Sequence, residues 1–306
     1  MASDTRSRSL VWATRAVAAL LLLSLAALGA YYLQRSSIPP HLSVIDRDIE
    51  ALERDIRQRP DDPELRVAAA NLYTEKGRLD DAISQAGQVL KINPRHFGTI
   101  LALADAHGRR GETDMAVKYL TLAADLNKDN PMAGGSLLLA TVHQRLGNIY
   151  LDLGRTAEAI SELQQTLEIN RTDADALRLL GNALEKQGRT AEAILSYRQS
   201  IRYVPEFTEA HADLLRAYRT QGDLARMDYA EGMLSYAHSE YDQAIARLER
   251  VNQSVLDMPE VHLGLAMAYE KVGRSADALE QYRQALTQDP TSVAARRAVA
   301  RLGAQP

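Results

Sequence analysis

Side chains able to do covalent, redox or metal chemistry are sparse in this chain of 306 residues. It has no cysteine, which removes disulfides, thiolate metal sites and cysteine nucleophiles. Its seven histidines, His41, His96, His107, His143, His211, His238 and His262, do not cluster at ligand spacing. There is no GxxxxGK[ST] phosphate loop, no HExxH, no GxSxG elbow and no GxGxxG following a strand. The expectation is therefore no catalytic residue, no metal and no cofactor. Acid-rich residues 46–55 alternate with arginines and read as a solvated helix face with pairs four residues apart. What remains is recognition chemistry. An amide donates and accepts at once, a guanidinium grips a carboxylate with two parallel bonds, and a net charge of -4 gives no global pull toward nucleic acid.

Recognition groups need elements that hold them, and a regular spacing supplies these. Gly77, Gly111, Gly154, Gly188, Gly222 and Gly273 are 34, 43, 34, 34 and 51 residues apart, where 43 is 34 plus 9 and 51 is 34 plus 17. Ala82, Ala116, Ala159, Ala193, Ala244 and Ala278 give a second ruler with the same unit. A fixed period of this length marks a solenoid, which buries its 46% hydrophobic residues repeat by repeat, without one central mass. In residues 174–207, Leu180-Gly181 is followed by Leu184, Gly188, Ala193, Tyr197, Ile201 and Pro205; the preceding copy gives Leu146-Gly147, Tyr150, Gly154, Ala159, Leu163 and Leu167. Each copy reads as two amphipathic helices, with small residues where they cross and a glycine ending the first helix.

This pattern resembles the tetratricopeptide repeat, over roughly four fifths of the chain. The resemblance implies an all-α fold, a right-handed superhelix (α-solenoid). Full copies are expected at 63–96, 97–130, 140–173, 174–207, 225–258 and 259–292. Residues 208–224 have a first helix but no second, and read either as a half repeat or as a normal repeat followed by a distorted pair. Pro131 to Leu139 is a nine-residue insertion that either lengthens the next helix or bulges. Its Leu137, Leu138 and Leu139 are expected in the core.

Both ends read as caps. Ile45, Ile49, Leu52 and Ile56 make an N-terminal capping helix within 43–62, like the second helix of a missing repeat, and 293–306 carries a C-terminal capping helix with Arg296, Arg297 and Arg301 on its wet face. A basic tail, residues 1–15, precedes an uncharged run at 16–33 bracketed by Trp12, Tyr31 and Tyr32. Trp12 to Tyr31 spans about 28 Å of helix, close to the hydrocarbon thickness. That predicts a single transmembrane helix acting as a signal anchor; a cleaved secretory signal is the rival reading. Arg6, Arg8 and Arg15 before the span outnumber Arg35 and Arg47 after it, so the N-terminus is expected inside the cytoplasmic membrane and the repeats on the extracytoplasmic side. The linker, 34–42, is stiffened by Pro39-Pro40.

The resemblance also implies a concave groove, lined from the first helices by Asn71, Asp105, Gln144, Asn148, Arg178, Asn182, Arg216, Arg219, Tyr229, Met233, Tyr236 and Met267. Gln144, Asn148, Arg178, Asn182, Arg216 and Arg219 would form a polar, cationic middle, followed by a tyrosine and methionine segment suited to an apolar side chain. Arg178 with Asn182 is similar to the carboxylate clamp of some members, but Asp213 stands where that clamp has an amide. In the same family, His107 and His143 fall where an aromatic side chain packs and are expected as packing residues. The expected partner is a protein or peptide, acidic or C-terminal, bound by a non-enzymatic membrane-anchored adaptor that assists assembly of a complex. An accessory structural subunit of a membrane complex is the rival class. The helix ending in Pro60-Asp61-Asp62 also resembles the anchored repeat subunits of bacterial cytochrome c maturation, which hold an apocytochrome's C-terminus.

Overall fold

Apolar residues at three- and four-residue spacing, punctuated by glycine, proline and capping aspartates, give fifteen α-helices and no strand among the residues described by the computed structural model, 44–127, 137–254 and 258–303. The expected tail, membrane span and linker (1–42) lie outside these residues, as do 131–136 of the insertion. No helix among the described residues is long and apolar enough to cross a membrane.

The chain divides into two compact units at Val89/Leu90. The first holds α1 (Val44–Gln58), α2 (Pro63–Glu75) and most of α3 (Leu79–Ile92). Asp62 caps α2 by accepting from the backbone N–H of Glu64 and Leu65, and Pro63 fills the first helical position, where no N–H is missed. Ile49 is the buried residue of α1, which packs on α2 as the N-terminal capping helix would. The Tyr73 hydroxyl ties the two by donating to Glu53 Oε1 at 2.7 Å.

The second unit contains α4 (Phe97–Arg109), α5 (Thr113–Asn127), α6 (Leu137–Asp152), α7 (Thr156–Ile169), α8 (Ala174–Lys186), α9 (Thr190–Tyr203), α10 (Thr208–Gln221), α11 (Leu224–Ala237), α12 (Tyr241–Ser254), α13 (Pro259–Lys271), α14 (Ser275–Gln288) and α15 (Val293–Leu302). Hairpins pair α4 with α5, α6 with α7, α8 with α9, α11 with α12, and α13 with α14. Close helix crossing explains the small residue in mid-first-helix: a Cβ on Gly181 would stand 2.3 Å from the ring of the fully buried Tyr197, and one on Gly147 2.7 Å from Leu163. The six ruler glycines all hold φ between 71° and 81°. At Gly188 the turn is closed by Arg189 N–H on the Leu184 carbonyl and Gly188 N–H on that of Glu185, a geometry that strains any residue with a Cβ. Ser239, after α11, holds φ 63° at the place where a seventh glycine is missing from the ruler.

Helix α10 packs on α11 across the Gly222 turn, and α11 packs in turn on α12, so α11 is the second helix after α10 and also the first helix of the next hairpin. The insertion lengthens α6, which starts at Leu137; Leu139 is buried but Leu137 and Leu138 are exposed, so only one of the three leucines joins the core. At the C-terminus α15 buries Ala295, Ala298 and Leu302, and its Arg301 pairs with Glu270 at 2.5 and 2.9 Å.

Candidate functional site

Three first helices, α6, α8 and α10, touch in a row, which brings their outward positions onto one groove of about 590 Å³. Asp173 caps α8 by accepting from Ala176 N–H, and this fixes where Arg178 and Asn182 emerge. Asp213 of α10 receives both neighbouring cations: Arg178 Nη1 donates to its Oδ2 at 3.1 Å and Arg216 Nη1 to its Oδ1 at 2.8 Å. Arg216 also grips Glu185 through Nη2 at 2.8 Å and Nε at 3.2 Å. The hydrogen bonds from Glu185 and Asp213 outweigh partial burial and hold the Arg216 guanidinium more firmly protonated than usual. Asn182 is spoken for as well, since its Oδ1 accepts from the Tyr197 hydroxyl at 2.7 Å and from Arg216 at 3.2 Å. Burial and the neighbouring Glu185 push the Tyr197 phenol well above its ordinary value, so it stays a neutral donor.

Two arginines facing two carboxylates leave this groove balanced in charge, not cationic. A ligand carboxylate would meet guanidiniums already holding a carboxylate that is almost wholly buried. Elsewhere along the row, Gln144 donates to Asp173 at 3.3 Å, Arg145 pairs with Asp105 at 2.9 Å, and Asn148 lines the groove exposed. Arg219 of α10 is exposed but does not line the groove, and Asn71 is exposed on α2 in the first unit.

The expected tyrosine and methionine continuation is not part of this surface. Tyr229, Met233 and Tyr236 are buried, and Tyr229, Met233 and Met267 line a different cavity, of about 280 Å³, with Arg198 and Ile201 from α9. Because α11 serves as second helix to α10 and as first helix to α12, the alternation of first and second helices slips by one. Helices α11 and α13, which touch each other, therefore share a face with α9 instead of α8 and α10. Arg198 Nε to Glu260 Oε1, at 2.8 Å, closes this face from α9 to α13. Periodicity alone missed Arg198 and Glu260, which are separated by 62 residues and share no repeat position.

No group of three or more histidine or acidic side chains among the described residues could hold a metal. His107 is buried, bonded to Glu112 at 2.5 Å and stacked on Tyr119, and His143 is bonded to Glu162 at 2.7 Å, so both act in packing.

Family models described as TPR or tetratricopeptide repeat match residues 49–96, 147–188, 174–207 and 235–302. These segments are tetratricopeptide repeats. BBS4, a BBSome complex member of Bos taurus, is 24% identical over 241 residues, which is 78% of this chain and 41% of that protein. The chain thus spans about two fifths of the length of the curated relative it matches. Among solved structures, the C-terminal part of a TPR repeat-containing protein from Cytophaga hutchinsonii has a TM-score of 0.54 at 15% identity, covering 83% of this chain and 94% of that one. A double mutant of MamA RS-1 has a TM-score of 0.53 at 15% identity, over 59% and 96%. These likenesses are of fold. Tetratricopeptide repeats generally form non-catalytic scaffolds that bind other proteins, and the matched segments of this chain are repeats of that protein-interaction type.

Proposed function

We propose that this chain is a membrane-anchored tetratricopeptide adaptor that holds a segment of a partner protein in the α6/α8/α10 groove and assists assembly of a membrane-associated complex. The observation that carries the reading is the groove itself: Asn148, Arg178, Asn182 and Arg216 converge on one open surface, each held in place by a neighbouring repeat or available to a ligand. An extended peptide would take its backbone bonds from Asn148 and Gln144. An acidic or C-terminal residue would bind by displacing Asp213 from Arg178 and Arg216. Residues 16–33 would anchor the repeats to the cytoplasmic membrane, with the N-terminus inside and the solenoid on the extracytoplasmic side, as their length and flanking charge support. A second reading, an accessory structural subunit, is favoured by the groove's internal neutralisation and by exposed Leu137, Leu138 and Leu195.

The test is a native-membrane pull-down comparing wild type with Arg178→Glu/Asn182→Ala/Arg216→Glu at low and high salt, read by mass spectrometry. Partners lost in the variant and at high salt support the groove, because exposed charges are screened. Partners that survive both would replace the adaptor reading with the structural subunit.

A further inference from the structure

The cavity between α9, α11 and α13 has a chemistry the polar groove lacks. Its apolar wall is Ile201, Leu263, Met233 and Met267, and methionine is the side chain that reshapes most readily around an apolar guest. Three polar groups on the same wall are left with unused bonding capacity. Glu260 Oε2 is buried without a partner, while its Oε1 accepts from Arg198 Nε. The Arg198 Nη atoms donate to nothing among the described residues. Tyr229 is 2% exposed, and its hydroxyl likewise makes no bond there. A buried, unbonded acceptor, Glu260 Oε2, which is costly to leave bare, thus lies on the same wall as the donors of Arg198 and Tyr229. Since Arg198 and Glu260 neutralise each other, a carboxylate would be repelled by Glu260 and an ammonium by Arg198. The group that fits is neutral and both donates and accepts, as a peptide group does.

Size and continuity narrow the occupant. A cavity of about 280 Å³ sits at the small end of ligand sites, roughly 300–1,000 Å³, and accommodates one residue better than a cofactor. Met233 also lines a second cavity of about 260 Å³, with Glu206, Tyr236 and Lys271, so the surface continues beyond one residue. We propose that the α9/α11/α13 cavity binds an apolar side chain of an extended segment of a partner protein, with the adjoining peptide group bonded to Glu260, Arg198 and Tyr229. This is a second protein-binding site, created where α11 is shared between α10 and α12 and independent of the polar groove.

The test uses the full chain with isotope-labelled methionine methyl groups, titrated with the capped pentapeptide Ac-Gly-Gly-Leu-Gly-Gly-NH2 and followed by NMR. Met233→Leu and Met267→Leu assign the two reporter methyls. Both methyls are expected to shift saturably, and the aspartate counterpart of the peptide is expected to leave them unmoved. Tyr229→Phe removes a hydroxyl with no internal bond to lose, so the unfolding midpoint should hold while affinity falls about fivefold. Arg216→Glu, in the polar groove, should leave this affinity unchanged, which separates failure here from failure of the adaptor reading. The proposal is overturned if neither methyl responds to millimolar peptide, if the aspartate peptide binds equally, or if free zwitterionic leucine binds tighter than the capped peptide.

Discussion

The α6/α8/α10 groove and the α9/α11/α13 cavity are built from the same repeat, yet they differ in kind. In the groove the polar side chains, from buried Asp213 to exposed Arg216, are already bonded to one another: Asp213 to two arginines, Glu185 to Arg216 and Tyr197, Asn182 to both. In the cavity the walls are apolar and Glu260, Arg198 and Tyr229 keep bonds unused. The difference lies less in the residues than in which helices face each other. Before α10, first helices line up with first helices; after it, α11 and α13 share a face with the second helix α9. A repeat position therefore dictates burial within its hairpin, while the surface it reaches depends on an unbroken alternation.

The largest expected effect breaks the hairpin on which the groove rests. Gly181→Ala drives a Cβ into the Tyr197 ring and dislodges the hydroxyl that holds Asn182 and Glu185, so a loss of about 3 kcal/mol is expected in chemical denaturation. Gly232→Ala, in the α11/α12 hairpin, meets Leu248 at 3.0 Å and should cost clearly less, because a leucine end can turn aside where a ring cannot. Equal losses would mean that the two hairpins do not differ as described.

Acid should strike the junction between the two regions. His211 on α10 is 1% exposed, donates through Nε2 to the Pro205 carbonyl at 2.8 Å, and meets the Tyr229 ring edge-on. Burial, only partly offset by that carbonyl, pulls its pKa down to about 4. Between pH 6.5 and 4 the unfolded chain binds a proton that the folded chain does not, so stability falls as pH drops through this window, by up to about 3 kcal/mol. His211→Gln keeps a donor for Pro205 and should flatten this part of the profile, measured as denaturation midpoints from pH 7 to pH 4.

Asp213→Asn sharpens the account of the groove. It removes the internal carboxylate, with an expected loss of about 1–2 kcal/mol in stability. A short peptide ending in a free carboxylate should then bind several-fold tighter at low salt, by calorimetry; unchanged affinity would show that Asp213 does not compete for that place. The smallest effect is a gain. Ser239 holds a left-handed φ of 63°, and Ser239→Gly should raise stability by about 0.5–1 kcal/mol in the same denaturation assay.

Much of this was legible in the residue order. The glycine and alanine rulers gave the repeats, and the 17-residue excess before Gly273 marked a break at residues 208–224 while leaving open a half repeat or a distorted following pair. Ser239 could have been found as the place where the ruler lacks a glycine. The position of Asp213 was visible as an obstacle to a clamp, but its contact with Arg178, 35 residues away in sequence, requires two neighbouring first helices to be laid side by side. Tyr229, Met233 and Tyr236 were placed on the groove because periodicity carries no record of a slip in alternation. The Arg198 to Glu260 contact had no signal at all, since it arises only where that slip lets a second helix meet later first helices.

Tandem helices can be read like a message set in two-letter words, and residues 208–224 insert a single letter. Every later word keeps its spelling but shifts its reading frame, so side chains that would have extended one surface are printed on the other. Such an insertion changes which helices share a surface while leaving the repeat's residue types as they are.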